Sequence, residues 1–168
     1  MRKLICFFAT IITVFSLFGC SVSPIEEGNS VVFYYIHNEI EYGTDSGVIT
    51  PAVVNVNVKP DNYDALLTLY FNGPTNYECI SPFAAGTTFV ELGIANNKAQ
   101  ITLSPHMATL DNSTLTVALA CLTRTIVEMT GVDTVQIRIQ NSKIYGEESV
   151  TLSLNSFAYF DDVMPGAS

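Results

Sequence analysis

Basic residues are scarce in this chain, and their scarcity excludes one large class of partner. The 168 residues include seven Lys and Arg against sixteen Asp and Glu, which gives a net charge of −9 at pH 7. Affinity for DNA or RNA depends first on Lys and Arg side chains that neutralise phosphates. Because the few cations here are scattered along the chain, we expect no nucleic acid among its partners.

Residue patterns that bind metals or carry out catalysis are equally sparse. The two histidines, His37 and His106, lie in no recognisable catalytic motif, and the sequence has no Gly-x-Ser-x-Gly, no Cys-x-x-Cys and no Cys/His cluster. A hydrolase would need one of these histidines beside a serine or a carboxylate. None of the acidic pairs has the spacing of a calcium loop: Glu26-Glu27, Glu147-Glu148 and Asp161-Asp162. We therefore predict no catalytic residue, no metal site and no cofactor.

The longest hydrophobic run lies at the N-terminus. Two cations precede residues 4–18, which carry no charge; this length fits a signal-peptide core, whereas a membrane-spanning helix needs about 20 apolar residues. The next residues, Leu17-Phe18-Gly19-Cys20, resemble the box of bacterial lipoproteins. That resemblance implies cleavage before Cys20 and the attachment of lipid, such as palmitate chains, to Cys20 and its new amino group. A plain secretory signal and an uncleaved N-terminal anchor are the alternatives.

The lipoprotein interpretation divides the chain into four parts. Residues 1–19 are the predicted signal peptide, residues 20–30 the lipidated cysteine and a polar tether, residues 31–156 a single domain, and residues 157–168 a C-terminal tail. Cleavage would remove two of the seven basic residues and none of the sixteen acidic ones, so the net charge would become −11. Anionic headgroups and wall polymers repel such a domain. We expect the N-terminal lipid to be its only attachment to the outer face of the cell membrane.

Strand patterns occur throughout residues 31–156. The most regular is the alternation of apolar Val135, Ile137 and Ile139 with Gln136 and Arg138, which predicts a half-exposed strand. A turn at residues 96–98 predicts a hairpin. The predicted strands cover residues 31–37, 53–58, 88–95, 100–103, 132–140 and 150–154.

Helical spacing predicts two helices. The first is capped by Asp61 or Asn62 and ends at Gly73-Pro74, and the second is capped by Asn112 or Ser113 and ends near Gly131. The second helix has one apolar stripe, with Arg124 and Glu128 turned outward: Leu115, Leu119, Leu122, Ile126 and Met129. The order of elements predicts an α+β fold, with a mainly antiparallel sheet and two helices packed on one face.

Two cysteines remain in the predicted domain. Cys79 falls in a predicted loop over residues 77–87, and Cys121 falls inside the second helix. A disulfide is possible outside a reducing compartment. The alternative is that both are unpaired, with Cys121 a small buried side chain.

Four landmarks appear in order along most of the domain, from about residue 31 to residue 154. They are the helix end at residues 65–74, the loop with Ser81-Pro82 and Gly86-Thr87, the strand pair at residues 96–103, and residues 126–137. The last, IVEMTGVDTVQI, is the most specific, because it joins a helix end to Gly-Val and a Val-Gln strand. Together they resemble the GerMN domain of spore-germination and sporulation lipoproteins.

This resemblance implies a non-catalytic module on a membrane-anchored chain. Its expected role is structural, through contacts with an extracytoplasmic protein, and a sporulation envelope complex is one candidate partner. The alternative is an envelope lipoprotein that binds a small ligand or a cell-wall glycan. That alternative predicts a pocket of a few hundred Å³ lined by aromatic side chains.

Overall fold

The structure is a computed structural model that describes residues 29–39 and 48–157. The predicted signal peptide, the lipidation site Cys20, the acidic pairs Glu26-Glu27 and Asp161-Asp162, and most of the predicted tether and tail lie outside the described residues.

Seven strands and two α-helices in the described residues form an α+β domain, which confirms the predicted fold class. The helices are α1 (Tyr63–Phe71) and α2 (Asn112–Thr130), with short 3-10 helices at Pro105–Thr109 and Leu154–Ser156. The strands are β1 (Asn29–His37), β2 (Ile49–Val56), β3 (Cys79–Ile80), β4 (Phe89–Ala95), β5 (Lys98–Leu103), β6 (Thr134–Ile139) and β7 (Val150–Leu152).

The strands form two separate sheets. One has the order β2-β1-β3 and is antiparallel, and the other has the order β4-β5-β6-β7. In the second sheet only β5 and β6 are parallel, because α2 forms the crossover between them. The predicted hairpin between β4 and β5 is confirmed, and its two turn residues Asn96 and Asn97 have φ of 52° and 60°, the left-handed conformation that such turns require.

Helix α2 lies in the core and contacts both β1 and β6. Its predicted apolar stripe is buried apart from the half-buried Met129, and burial extends around the helix to Ala118, Cys121, Thr123 and Thr125. The prediction that Arg124 points outward is wrong, because its guanidinium carbon lies 4.6 Å from the centre of the Tyr34 ring. A helix packed on both sides leaves little of its surface to water, and a cation–aromatic contact stabilises the charge there.

Side chains from both helices form hydrogen bonds with the backbone of β1 where no strand pairs with it. Strand β1 pairs with β2 along its length, but β3 covers only Ile36 and His37 on the other edge. At Tyr34 the backbone N–H donates to Thr125 Oγ1 at 2.9 Å, and the backbone carbonyl accepts from the Tyr70 hydroxyl at 2.8 Å. Burial raises the pKa of Tyr70 well above its usual value, so this hydroxyl remains a donor over the physiological pH range.

Two details of the local predictions need correction. The cap of α2 is Asp111, and not Asn112 or Ser113, because its carboxylate accepts the backbone N–H groups of Ser113 at 2.9 Å and Thr114 at 3.0 Å. The hydroxyls of Ser113 and Thr114 also donate to this carboxylate. Together these hydrogen bonds hold the pKa of Asp111 well below its usual range. The second correction is Cys79, which lies in the short strand β3 and not in a loop. The cap of α1 is Asn62, one of the two predicted residues.

Replacing Thr125 with Val should destabilise the domain by about 1–3 kcal/mol, since the buried N–H of Tyr34 would lose its acceptor. Chemical denaturation followed by circular dichroism measures this change. Thr125→Ser keeps the hydroxyl and is the matched control, which should cost clearly less. A Thr125→Val variant as stable as the parent chain, or one that loses less than Thr125→Ser, would contradict a stabilising role for this hydrogen bond.

Replacing Gly131 with Ala should cost about 1 kcal/mol of stability. Gly131 ends α2 with φ of +72°, a left-handed conformation that residues with a Cβ atom adopt only at a cost. A Cβ atom at Gly131 would meet nothing within 4 Å, so the cost would be conformational and not steric. Gly93 in β4 is equally open and has no positive φ; Gly93→Ala should therefore be neutral or stabilise by up to about 1 kcal/mol. The melting temperature should fall for Gly131→Ala and stay the same or rise for Gly93→Ala. Similar decreases in both variants would contradict this account.

Candidate interaction surface

The second sheet has one buried face and one open face. Six apolar residues of β5 and β6 point inward and are at most 2% exposed: Ala99, Ile101, Leu103, Val135, Ile137 and Ile139. The alternating residues point the other way, among them Gln100, Gln136 and Arg138. In the part of the chain that the structure describes, neither helix packs on this outer face. This confirms the alternation predicted for residues 132–140.

A shallow groove of about 380 Å³ crosses the outer face, lined by Glu91, Leu92, Gly93, Gln100, Ile101, Thr102, Gln136, Arg138, Glu148 and Ser149. Most of its hydrogen-bonding groups are already paired. The Thr102 hydroxyl donates to Glu91 Oε1 at 3.1 Å, and Gln136 Nε2 donates to Ser149 Oγ at 2.9 Å.

Arg138 and Gln100 are the available polar groups in this groove, since neither side chain has a partner among the described residues. A second groove, of about 510 Å³, continues from Arg138 to Lys143, whose Nζ lies 3.6 Å from Glu148 Oε1. The outer face therefore offers an uncommitted guanidinium and an amide at the centre of an extended polar surface. Such groups can bind carboxylates, carbonyls and other acceptors.

Neither groove is lined by an aromatic side chain. The ligand-binding alternative predicted a pocket with aromatic walls. The first groove has the volume that this alternative requires, but it lacks the stacking surfaces that recognise sugar rings.

Neither of the two histidines lines these grooves. His37 ends β1, and its Nδ1 lies 2.6 Å from the backbone oxygen of Glu39. His106 lies in the 3-10 helix, with its Nδ1 3.5 Å from Ser104 Oγ, which already accepts the backbone N–H of Thr88. Among residues 29–39 and 48–157, no carboxylate is bonded to either ring. The described residues therefore assemble no set of serine, histidine and acid.

The two cysteines of the domain are free and buried. Burial raises the pKa of the Cys121 thiol to about 12 and also raises that of Cys79. Since the thiolate is the reactive form, burial and the raised pKa make both thiols less reactive than an exposed cysteine.

Residues 29–39 and 48–157 contain no group of three or more His, Cys, Asp or Glu residues that could hold a metal ion. They also contain no helix with the length and apolar character needed to cross a bilayer.

In the sequence, Arg138 is only one of the polar residues on the outer side of a predicted strand. One feature of the sequence could have singled out Arg138: it is the only cation in residues 132–140 of an acidic chain. Its importance depends on Gln100 and Glu91, which strand pairing brings from β5 and β4 to the same face.

Comparisons with solved structures support the fold. The tandem GerMN domains of the sporulation protein GerM from Bacillus subtilis are 15% identical, with a TM-score of 0.57 over 80% of this chain and 48% of that one. The chain therefore spans about half the length of that tandem structure. The first GerMN domain of the same protein is 15% identical, with a TM-score of 0.51 over 68% of this chain and 85% of that one.

A candidate lipoprotein from Clostridium perfringens is also similar, at 14% identity, with a TM-score of 0.46 over 78% of this chain and 91% of that one. No curated protein sequence matches the chain significantly.

A family model is the more specific comparison. The model of the Germane domain, described as "Sporulation and spore germination", matches residues 32–145. This range is more than half of the chain and contains the landmarks at residues 65–74, 81–87, 96–103 and 126–137. The chain therefore belongs to the Germane domain family of sporulation and spore germination.

Proposed function

We propose that this protein is a lipid-anchored assembly module on the extracytoplasmic face of the cell membrane. In this proposal the Germane domain is non-catalytic and binds a protein partner in a sporulation or germination complex. The observation that carries it is the open outer face of the second sheet, where Arg138 and Gln100 have no partner among the described residues.

The chemistry of this face suits contact with another protein. A guanidinium can form two parallel hydrogen bonds to a carboxylate, and arginine is enriched at the energetic centres of protein interfaces. The surrounding side chains are held by their own hydrogen bonds, so the surface loses little conformational freedom when a partner binds. A flat, pre-ordered polar face favours a protein surface over a small enclosed ligand.

The proposed anchor determines where this contact takes place. Each acyl CH₂ group buried in the bilayer contributes about 0.8 kcal/mol, so two or three chains on Cys20 give stable attachment. The predicted tether up to the start of β1, residues 20–28, spans at most about 30 Å when fully extended. Partners within this distance of the membrane are therefore in reach.

Binding of a small ligand or wall glycan is the second candidate function. The volume of about 380 Å³ favours it, because this value falls within the usual range of ligand sites. The absence of aromatic walls from both grooves weighs against it.

Arg138→Glu should reduce recovery of the protein partner in pull-downs with a tagged chain by about tenfold or more, because loss of a central interface arginine costs about 2 kcal/mol or more and about 1.4 kcal/mol is already tenfold in affinity. Lys98→Glu makes the same change of charge at the hairpin, outside both groove linings, and should leave recovery unchanged. Thermal melts verify that both variants fold. Full recovery with a folded Arg138→Glu variant would contradict a contact at this face.

Cys20→Ala should abolish metabolic labelling with a palmitate analogue and move the protein out of the membrane fraction, because it removes the proposed lipid site. Cys6→Ala changes a cysteine within the predicted signal peptide and is the matched control, which should leave both labelling and location unchanged. Persistent labelling of Cys20→Ala would refute the lipid site. Retention in the membrane without label would favour the uncleaved anchor.

A further inference from the structure

Strand β4 is the one long edge strand that lacks protection in the described part of the chain. The outer strands of the two sheets are β2 and β3 in the first and β4 and β7 in the second. Strands β3 and β7 have only two and three residues. Proteins protect longer edges with proline, lysine or a covering segment, because free backbone groups bind other strands.

The edge of β2 carries such a protection at Pro51. Pro51 lies opposite Tyr34 in the β1–β2 register. Tyr34 uses its N–H and its carbonyl for Thr125 and Tyr70, on the far side from β2. The Tyr34–Pro51 pair is therefore a non-hydrogen-bonded pair, and the proline nitrogen faces outward, where it removes a donor from the edge.

Strand β4 has seven residues and contains neither proline nor lysine. Its β-bulge is confined to the start of the strand, between Phe89 and Glu91, and the pairing is regular from Glu91 to Ala95. The two-residue turn makes Ala95 and Lys98 a hydrogen-bonded pair, so the backbone N–H and carbonyl groups of Leu92 and Ile94 point away from β5. Within residues 29–39 and 48–157 these groups have no partner.

The side chains beside this edge are apolar, and the rim is acidic. Ile94 is 41% exposed and Val90 is 48% exposed. A cleft of about 290 Å³ separates β4 from the start of α1, and it is lined by Asp61, Asn62, Tyr63, Asp64, Leu92 and Ile94. An extended strand on β4 would place alternate side chains over Ile94 and the cleft. The two rim carboxylates would then favour Lys or Arg on that strand.

The segments of this chain outside the described residues do not match these requirements. Residues 1–28 carry cations only at Arg2 and Lys3, within the predicted signal peptide, and residues 40–47 and 158–168 carry carboxylates and no Lys or Arg. A second copy of the chain would bring the same acidic rim and the same net charge of −9. Like charges repel in both arrangements, so charge complementarity favours a different protein.

We propose that a basic and apolar segment of a partner protein binds β4 as an additional strand. Its backbone would pair with the free groups of Leu92 and Ile94, its apolar side chains would cover Ile94 and the cleft, and its Lys or Arg side chains would approach Asp61 and Asp64. This inference rests on the proposed assembly function and specifies its contact. It adds a strand-pairing site beside the outer face that carries Arg138.

Two synthetic peptides with alternating residues test the proposal, one of Lys and Val and one of Glu and Val. Fluorescence anisotropy with the full-length chain in detergent should show that the Lys–Val peptide binds at least about tenfold more tightly than the Glu–Val peptide, a difference of about 1.4 kcal/mol. Ile94→Pro should weaken this binding by about tenfold, because it removes an outward N–H and leaves the β4–β5 hydrogen bonds intact. Ile94→Val keeps the N–H and is the matched control.

A second variant keeps the test decisive if Ile94→Pro does not fold. Replacing Asp61 and Asp64 together with Asn should reduce binding of the Lys–Val peptide and its dependence on salt, without altering the strand. Equal affinity for both peptides, or unchanged binding to a folded Ile94→Pro variant, would overturn the proposal. So would dimerisation through β4 in analytical ultracentrifugation, which would identify a second copy as the occupant.

Pull-downs distinguish this inference from the broader function. Loss of the partner with Arg138→Glu but not with Ile94→Pro would refute the added strand and leave the assembly function standing. Normal recovery of the partner with folded Arg138→Glu and folded Ile94→Pro would contradict both the contact at the outer face and the added strand at β4.

Discussion

The buried backbone of Tyr34 is the constraint on which the rest of this structure depends. A strand whose edge is covered by helices must still satisfy its N–H and carbonyl groups, since each unpaired buried group costs about 1–3 kcal/mol. Thr125 of α2 and Tyr70 of α1 supply the two missing partners. A sheet edge that would ordinarily bind another strand is thus completed by side chains of both helices.

This arrangement fixes the position of α2 and, through it, the orientation of the second sheet. One side of α2 packs along β1, and another side contacts β6 on the buried face of the second sheet. Both apolar surfaces of the helix are then used, so the opposite face of the second sheet has nothing from the described residues to cover it. The open polar face and the free edge of β4 are consequences of how the core is closed.

The chemistry of the described domain agrees with a role that depends on surfaces. Its thiols are buried, with raised pKa values, and neither of its two histidines lines the grooves on the outer face. Among the described residues, the outer face and β4 offer a guanidinium, an amide and strand-edge backbone groups that have no partner, and such groups can bind a complementary surface. An acidic net charge of −9 would attract basic partners at long range, and in our proposal the open face and the edge of β4 determine where they bind.

The sequence by itself determined the features that depend on near neighbours along the chain. Alternation in residues 132–140, the turn at Asn96 and Asn97, the helix end at Gly131 and the family landmarks are local signals, because side-chain period and backbone conformation are set within a few residues. The tertiary structure alone decided the division into two sheets, the contact of Arg124 with Tyr34, the strand at Cys79 and the grouping of Arg138 with Gln100. These depend on which distant segments pair, and pairing is a collective result of closing one core around a helix that is buried on both sides.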